Sequence, residues 1–214
     1  MTPLPKTSVR VGIPLLGCGN VMSMSRMIEK AGGKAVLARE PKELCGCDRL
    51  VLPGVGAFDF GMAALRAGDW IETLERQVFG LGVPILGVCL GMQLMCRASE
   101  EGRSPGLGWI PADVIRFRQS EHHRILIPHM GWNTVRVEKR DALIPKDDRE
   151  RRYYFVHSYH VHGEPQDTTL ATVEHGYRFT AAFSSGKILG AQFHPEKSHR
   201  FGLEVLQRFI QSPC

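Results

Sequence analysis

The sequence is short of the features that would take it out of the ordinary globular class. It has no Cys-x-x-Cys pair. Of its six cysteines (Cys18, Cys45, Cys47, Cys89, Cys96 and Cys214) the nearest spacing is Cys45-Gly46-Cys47, with no matching second pair. That argues against a zinc ribbon and against a disulfide framework, and it suits a reducing compartment. No apolar run approaches the roughly 20 residues needed to cross a bilayer, and no charged-then-apolar leader is visible. Nor is there a tract of one charge. The net charge is +5, but Lys and Arg are spread along the chain, which reads as a solvated mixed surface rather than a nucleic-acid face. Internal repeats and low-complexity segments are missing as well. The expectation from these absences is a cytoplasmic protein with no membrane or nucleic-acid partner.

What is present suffices for a large core. A length of 214 residues, 43% hydrophobic and 23% charged, suits one domain spanning 1–214. Residues 9–14, 34–38, 49–52 and 83–88 read as strands, with helices around Met24, Met27 and Ile28, over 60–65 and over 71–79. Alternation with short connections implies a largely parallel sheet covered on both faces. After Leu107 the pattern changes to short strands and turns, at 110–117, 125–127, 134–137, 153–156, 169–173, 180–183 and 188–193. These read as a second, more antiparallel layer, with 141–152 as a charged surface loop. Phe201, Val205, Leu206 and Phe209 repeat at helical spacing and give a closing amphipathic helix. The expected class is α/β: a mostly parallel central sheet flanked by helices, with an additional smaller antiparallel sheet.

Three stretches carry chemistry. An apolar strand rises into Gly87-Val88-Cys89-Leu90-Gly91 and then turns helical. Glycine on both sides suits a nucleophile on a tight strand-to-helix turn, where a side chain would strike neighbouring backbone. Cys89 then sits at a helix N-terminus, which favours thiolate over thiol, and the amide of Leu90 can point at a developing oxyanion. The competing reading is a buried structural cysteine. Gly54-Val55-Gly56 follows Pro53 at the carboxyl end of a strand, where open α/β sheets place ligands, although a plain strand-to-helix turn would look the same. Finally, His194-Pro195-Glu196 ends a strand, so that Glu196 can return to hold the far nitrogen of His194. A thiol, an imidazole and an orienting carboxylate make an acyl-transfer triad. His160 and His162 would share a strand face near His157, but no third ligand matches, so hydrogen-bonded histidines and no metal are expected. Gly17-x-Gly19 lacks the third glycine of a dinucleotide fingerprint, and no cofactor is expected.

Pro53-Gly54-Val55-Gly56-Ala57-Phe58, Gly87-Val88-Cys89-Leu90-Gly91-Met92-Gln93 and Phe193-His194-Pro195-Glu196 resemble the class I (triad) glutamine amidotransferases. Pro128-His129-Met130-Gly131-Trp132-Asn133 and Tyr154-Phe155-Val156-His157-Ser158-Tyr159 narrow the resemblance to the glutaminase subunits of imidazole glycerol phosphate synthases, over nearly the whole chain. The resemblance implies that Cys89 attacks the side-chain amide of L-glutamine and that the thioester is hydrolysed to glutamate. His194 would be general acid and base, with Glu196 its orienter. An oxyanion hole would come from amides of Gly54, Val55 or Gly56 and of Leu90, while Gln93 and the Ser158-Tyr159 backbone would hold the amino-acid end. The family further implies a heterodimer in which a cyclase of histidine biosynthesis receives the ammonia, with Trp132 and Asn133 at the interface. The sequence departs from the family where Leu15-Leu16 replaces the usual Asp-Tyr ahead of Gly17-Cys18-Gly19-Asn20. A paralogue serving another ammonia acceptor, such as a surface-sugar amidating enzyme, stays open, as does a stand-alone cysteine hydrolase. A thiol redox sensor on the same scaffold would need neither His194 nor Glu196.

Overall fold

The computed structural model describes residues 8–119, 125–139 and 143–212. Strands β1 (Arg10–Pro14), β2 (Lys34–Ala38), β3 (Arg49–Gly54) and β4 (Ile85–Cys89) alternate with helices α1 (Val21–Lys30), α2 (Phe58–Ala67) and α3 (Trp70–Glu75). β4 runs straight into a short helix, α4 (Leu90–Leu94). Then come β5 (Ala98–Ser99), β6 (Asp113–Arg116), β7 (His129–Val137), β8 (Arg151–His157) and β9 (Tyr159–His162). β10 (Thr169–His175), β11 (Tyr177–Ser185) and β12 (Ile188–Ala191) precede helix α5 (His199–Gln211). Among the described residues no helix is long and apolar enough to cross a membrane.

Nine strands form one sheet in the order β2-β1-β3-β4-β12-β11-β10-β7-β8, and β5, β6 and β9 form a smaller one. From β2 to β12 every neighbour is parallel, and from β12 outward every neighbour is antiparallel. The expected α/β class with a smaller second sheet is found. The antiparallel strands, however, mostly lengthen the first sheet instead of layering on it. β12 pairs in parallel with β4 and offers its other edge to the β11 hairpin, a choice that hydrophobic pattern does not encode.

The alternation of side chains explains the two cores. In β3, Leu50 and Leu52 face one side and Val51 the other. The Val51 side is covered by α1 and α5 through Met24, Ile28, Val205, Leu206 and Phe209, and the opposite side by Phe58, Met62, Leu74, Leu94 and Val114. Helix α1 starts where Asn20 accepts a hydrogen bond from the Ser23 amide, at 3.4 Å. Residues 125–127, expected as a strand, are not one. The Gln119 side chain takes both backbone groups of Ile125, at 3.0 and 2.8 Å, in place of a ladder partner. Of the expected loop 141–152, residues 141–142 lie outside the described residues, and Arg151 already begins β8.

One consequence of the strand order positions everything that follows. β3, β4 and β12 are adjacent and parallel, with Gly54 level with Cys89 and Val88 level with Ala191. The glycine loop, the cysteine and the segment leading to His194 therefore leave the sheet side by side at its carboxyl edge.

Candidate active site

Cys89 sits at φ +53 and ψ −109, a conformation that L-residues rarely adopt. Holding it there costs on the order of 1–3 kcal/mol and keeps the sulfur at the apex of the β4–α4 turn. The flanking glycines are sterically required. A Cβ on Gly91 would lie 1.8 Å from the Leu52 carbonyl oxygen, and one on Gly87 would lie 2.8 Å from the Gly91 carbonyl. Gly54 is pressed as closely against α4, where its Cβ would meet the Gly91 amide at 2.9 Å. Gly56, at φ +105, needs the left-handed freedom of glycine to turn the loop toward α2.

His194 is placed by its own backbone. Its amide donates to Tyr154 O at 2.9 Å, and its carbonyl accepts from the Ser198 hydroxyl at 2.6 Å. Pro195 opens a tight turn (Pro195–Lys197) that brings the Glu196 carboxylate back to His194 Nδ1 at 2.8 Å. Both side chains are almost sealed from solvent, at 1% and 3% exposed. His194 Nε2 and Glu196 Oε2 are buried without a hydrogen-bond partner among the described residues. Burial opposes a charge on the imidazole, but the Cys89 sulfur and the Glu196 carboxylate outweigh it and push the His194 pKa up to about 10. The carboxylate fixes Nδ1 as a donor, so Nε2 is the nitrogen left to exchange a proton with the sulfur.

Of the three groups Cys89 lines a cleft of about 450 Å³, within the range for small-molecule sites, while the buried His194–Glu196 pair stands behind its sulfur and not in the lining. Cys89 is buried but lines it, together with Val55, Gly56, Leu90, Gln93, Ser158 and Tyr159. These sequence-predicted residues thus come together, whereas Gly54 lies beneath the cleft as the strand-end partner of Cys89. A larger groove of about 710 Å³, lined by His160, His162, Glu164 and Tyr177, contains neither Cys89 nor His194. Chemistry, not volume, selects the smaller one.

Several residues at the site were not legible as such: Ala57, Val156 and His157 line the cleft, and two more carry polar chemistry. Glu101 lines the cleft, and burial raises its carboxyl pKa although the Phe58 amide donates to it at 2.9 Å. The loop that brings it there is pinned by Asp59, which accepts from the Arg103 and Ser104 amides. Gln192, fully buried, places its Nε2 3.8 Å from the Cys89 sulfur and accepts from Gln93 at 3.0 Å. Glu101 follows α4 after a turn with no fixed spacing, and Gln192 looks like one more strand residue. Gln93 also donates to Tyr159 O at 2.9 Å, which ties α4 to the turn between β8 and β9.

Comparison with known proteins decides the family. The family model described as glutamine amidotransferase class-I matches residues 22–212. The chain belongs to the class-I glutamine amidotransferases. Relatives of this amidotransferase include a protein of Pseudomonas aeruginosa named imidazole glycerol phosphate synthase subunit HisH 2, 40% identical over 91% of this chain and 96% of that one. A protein of the same name from Methanococcus maripaludis is 43% identical over the same shares. Among solved structures, the amidotransferase fold is shared with PurLQS from Thermotoga maritima, at a TM-score of 0.72 and 16% identity, covering 95% of this chain and 98% of that one. A structure described as glutamine amidotransferase gives a TM-score of 0.68 at 20% identity, covering 92% and 98%.

The amidotransferase carries its two expected interface residues on β7, on opposite faces of the strand. Trp132 is 40% exposed and stacks on His199, with centroids 5.3 Å apart and planes 5° from parallel. Met130, on the same face, is more exposed still. The Asn133 side chain turns the other way and bonds His129 and the Glu174 carbonyl. Of the three histidines considered for metal, His157 and His160 are buried and hydrogen-bonded and His162 is exposed.

Proposed function

We propose that this chain is the glutaminase subunit of an imidazole glycerol phosphate synthase, working in the cytoplasm as one domain on L-glutamine. The observation that carries this is a cleft lined by Cys89 with the His194–Glu196 pair buried against its sulfur, in a chain about 40% identical to HisH subunits over most of its length. The sulfur attacks the amide carbon of glutamine while amides at Val55 or Gly56 and at Leu90 take the oxyanion. The carbon–nitrogen bond breaks, and the imidazolium of His194 gives its proton to the departing ammonia. Water then attacks the thioester, giving its proton to His194, and glutamate leaves. Glu196 keeps one tautomer in place through both halves. Gln93 and the Ser158-Tyr159 turn hold the amino-acid end of glutamine, and the Glu101 carboxylate is placed to pair with its ammonium.

Ammonia released into neutral water becomes ammonium and loses its nucleophilicity, so this reading requires a cyclase docked on the chain. Trp132 and Met130 form the side-chain part of that contact, and Asn133 enters it through its strand rather than its side chain. Leu15 and Leu16 do not line the cleft, and Leu16 packs into the core, so the family departure leaves the hydrolytic site untouched. Their hydrophobicity gives no specific support to a sugar-amidating acceptor.

The test is glutamate formation from glutamine, with and without an imidazole glycerol phosphate synthase cyclase, in wild type, Cys89→Ala and His194→Ala. Each variant should fold, by circular dichroism, and lose turnover. Glutamate formation that survives in Cys89→Ala would overturn the proposal.

A further inference from the structure

Strand β7 reaches the cleft through a line of hydrogen bonds that is buried at its centre, between His129 and His157. Asn133 Nδ2 donates to the Glu174 carbonyl at 2.8 Å and lies 3.1 Å from His129 Nε2, while Asn133 Oδ1 accepts from the Thr134 amide at 2.8 Å. A carbonyl only accepts and an amide N–H only donates, so the orientation of the Asn133 amide is fixed and His129 Nε2 must be the acceptor. A neutral His129 therefore holds its proton at Nδ1 and gives it to His157 Nε2, 3.0 Å away. His157, accepting at Nε2, keeps its own proton at Nδ1 and donates to Tyr159 O at 2.7 Å. One proton assignment satisfies every bond. Tyr159 O is the same carbonyl that takes Gln93 Nε2, and Gln93 leads on through Gln192 to the Cys89 sulfur.

We propose that His129 and His157 are positioning residues for glutamine binding, which fix the Tyr159 carbonyl, and with it Gln93 and the Ser158-Tyr159 turn, to strand β7. The inference rests on reading the cleft as the glutamine site. Both imidazoles are more than nine-tenths buried, and their neighbours on every side are consistent with neutral rings. His175 of β10 stacks on His129 at 4.3 Å, with its own Nε2 on the Leu126 carbonyl. His160 of β9 bonds the Tyr177 hydroxyl of β11, and Phe117, Phe155 and Phe179 fill the remaining contacts. A second proton on His129 would set an N–H against the N–H of Asn133. Burial, with the other histidines close by, holds both pKa values down. A pair serving only to fill space would need no such ordering of protons.

The experiment is glutamine kinetics of the full chain with its cyclase. His157→Phe keeps a ring and removes the donor. It should raise KM for glutamine about tenfold, the worth of one hydrogen bond, with kcat changed less than about twofold. His157→Asn can still place an N–H near Tyr159 O and should recover most of the loss. His129→Leu, which frees the His157 tautomer, should raise KM about threefold. A purely structural pair would lower the melting temperature, leave KM unchanged and make Asn no better than Phe, and that result overturns the proposal. If His157→Phe does not fold, an unchanged KM in His129→Leu overturns it equally. Failure of the glutaminase reading shows separately, as wild type that makes no glutamate or makes it without Cys89.

Discussion

At the scale of single residues, the most constrained position is Gly91, whose missing side chain lets α4 start against the β3 backbone. Gly91→Ala would force a methyl to 1.8 Å from the Leu52 carbonyl oxygen, a rigid partner that cannot rotate away. We expect it to cost at least about 2 kcal/mol in urea denaturation and to displace the Cys89 turn, with loss of turnover. Wild-type stability in this variant would show that the turn has room that the structure denies. Glu196→Gln tests orientation instead of packing. The amide can present an N–H to His194 Nδ1, which favours the wrong tautomer, and kcat should fall on the order of 10³-fold while the melting curve stays close to wild type. An unchanged kcat would remove Glu196 from the mechanism. These residues were legible because each rests on identity plus spacing: glycine on both sides of a cysteine, and a carboxylate two residues after a histidine. Glu101 and Gln192 were not, because their roles depend on a loop pinned by Asp59 and on the packing of β12 beside β4, neither of which leaves a local pattern.

At the scale of elements, the histidines gathered by β7, β8 and β9 should set the acid limit of stability. His129 is pushed down to about 4, by burial first and then by His175, and His157 and His160 are also lowered chiefly by burial. In the unfolded chain these imidazoles take protons near 6.5, so the folded state gives up stability as pH falls below that value. For His129 the loss is complete only below about pH 4 and amounts to roughly 3 kcal/mol. His194 has the opposite sign. Its raised pKa contributes stability that is full below about 6.5 and disappears as pH rises toward 10, so it adds nothing to the acid slope. The lowered carboxyls, Asp59 through backbone amides and Asp147 through Arg151, act below the usual carboxylate range of about 4. Urea midpoints should therefore decline between pH 6.5 and 4.5 in wild type, and less steeply in His129→Leu. Identical slopes would show that His129 is not held neutral. The elements themselves were largely legible in the parallel half, where long periodic segments alternate. In the second half most strands were found but not their sheet, because register and edge choice are settled by long-range pairing such as Gly190 with Gly87, and β9 entered only as a strand face considered for His160 and His162.

For the molecule as a whole, the nine-stranded sheet divides the labour along its length. Its parallel half ends in the groups proposed for hydrolysis, and its antiparallel half carries the exposed face of β7, with Met130 and Trp132 outward on a strand whose inner side holds Asn133 and His129. Trp132 stacks on His199 at the start of α5, a few residues after Glu196, so a partner covering Trp132 would also press on the segment that shapes the triad. A large, half-exposed aromatic ring at the centre of a docking face is the kind of residue that dominates an interface, worth about 2 kcal/mol or more on truncation. Trp132→Ala should accordingly weaken binding of the cyclase about thirtyfold by titration calorimetry. The isolated wild-type chain should turn glutamine over slowly and gain rate when cyclase and its acceptor substrate bind, because hydrolysis without an acceptor wastes glutamine. In Trp132→Ala the same gain should be reached only at correspondingly higher cyclase concentration. Cyclase binding that is indifferent to Trp132, or full activity in the isolated chain, would move the contact elsewhere and separate the two halves of the sheet in function.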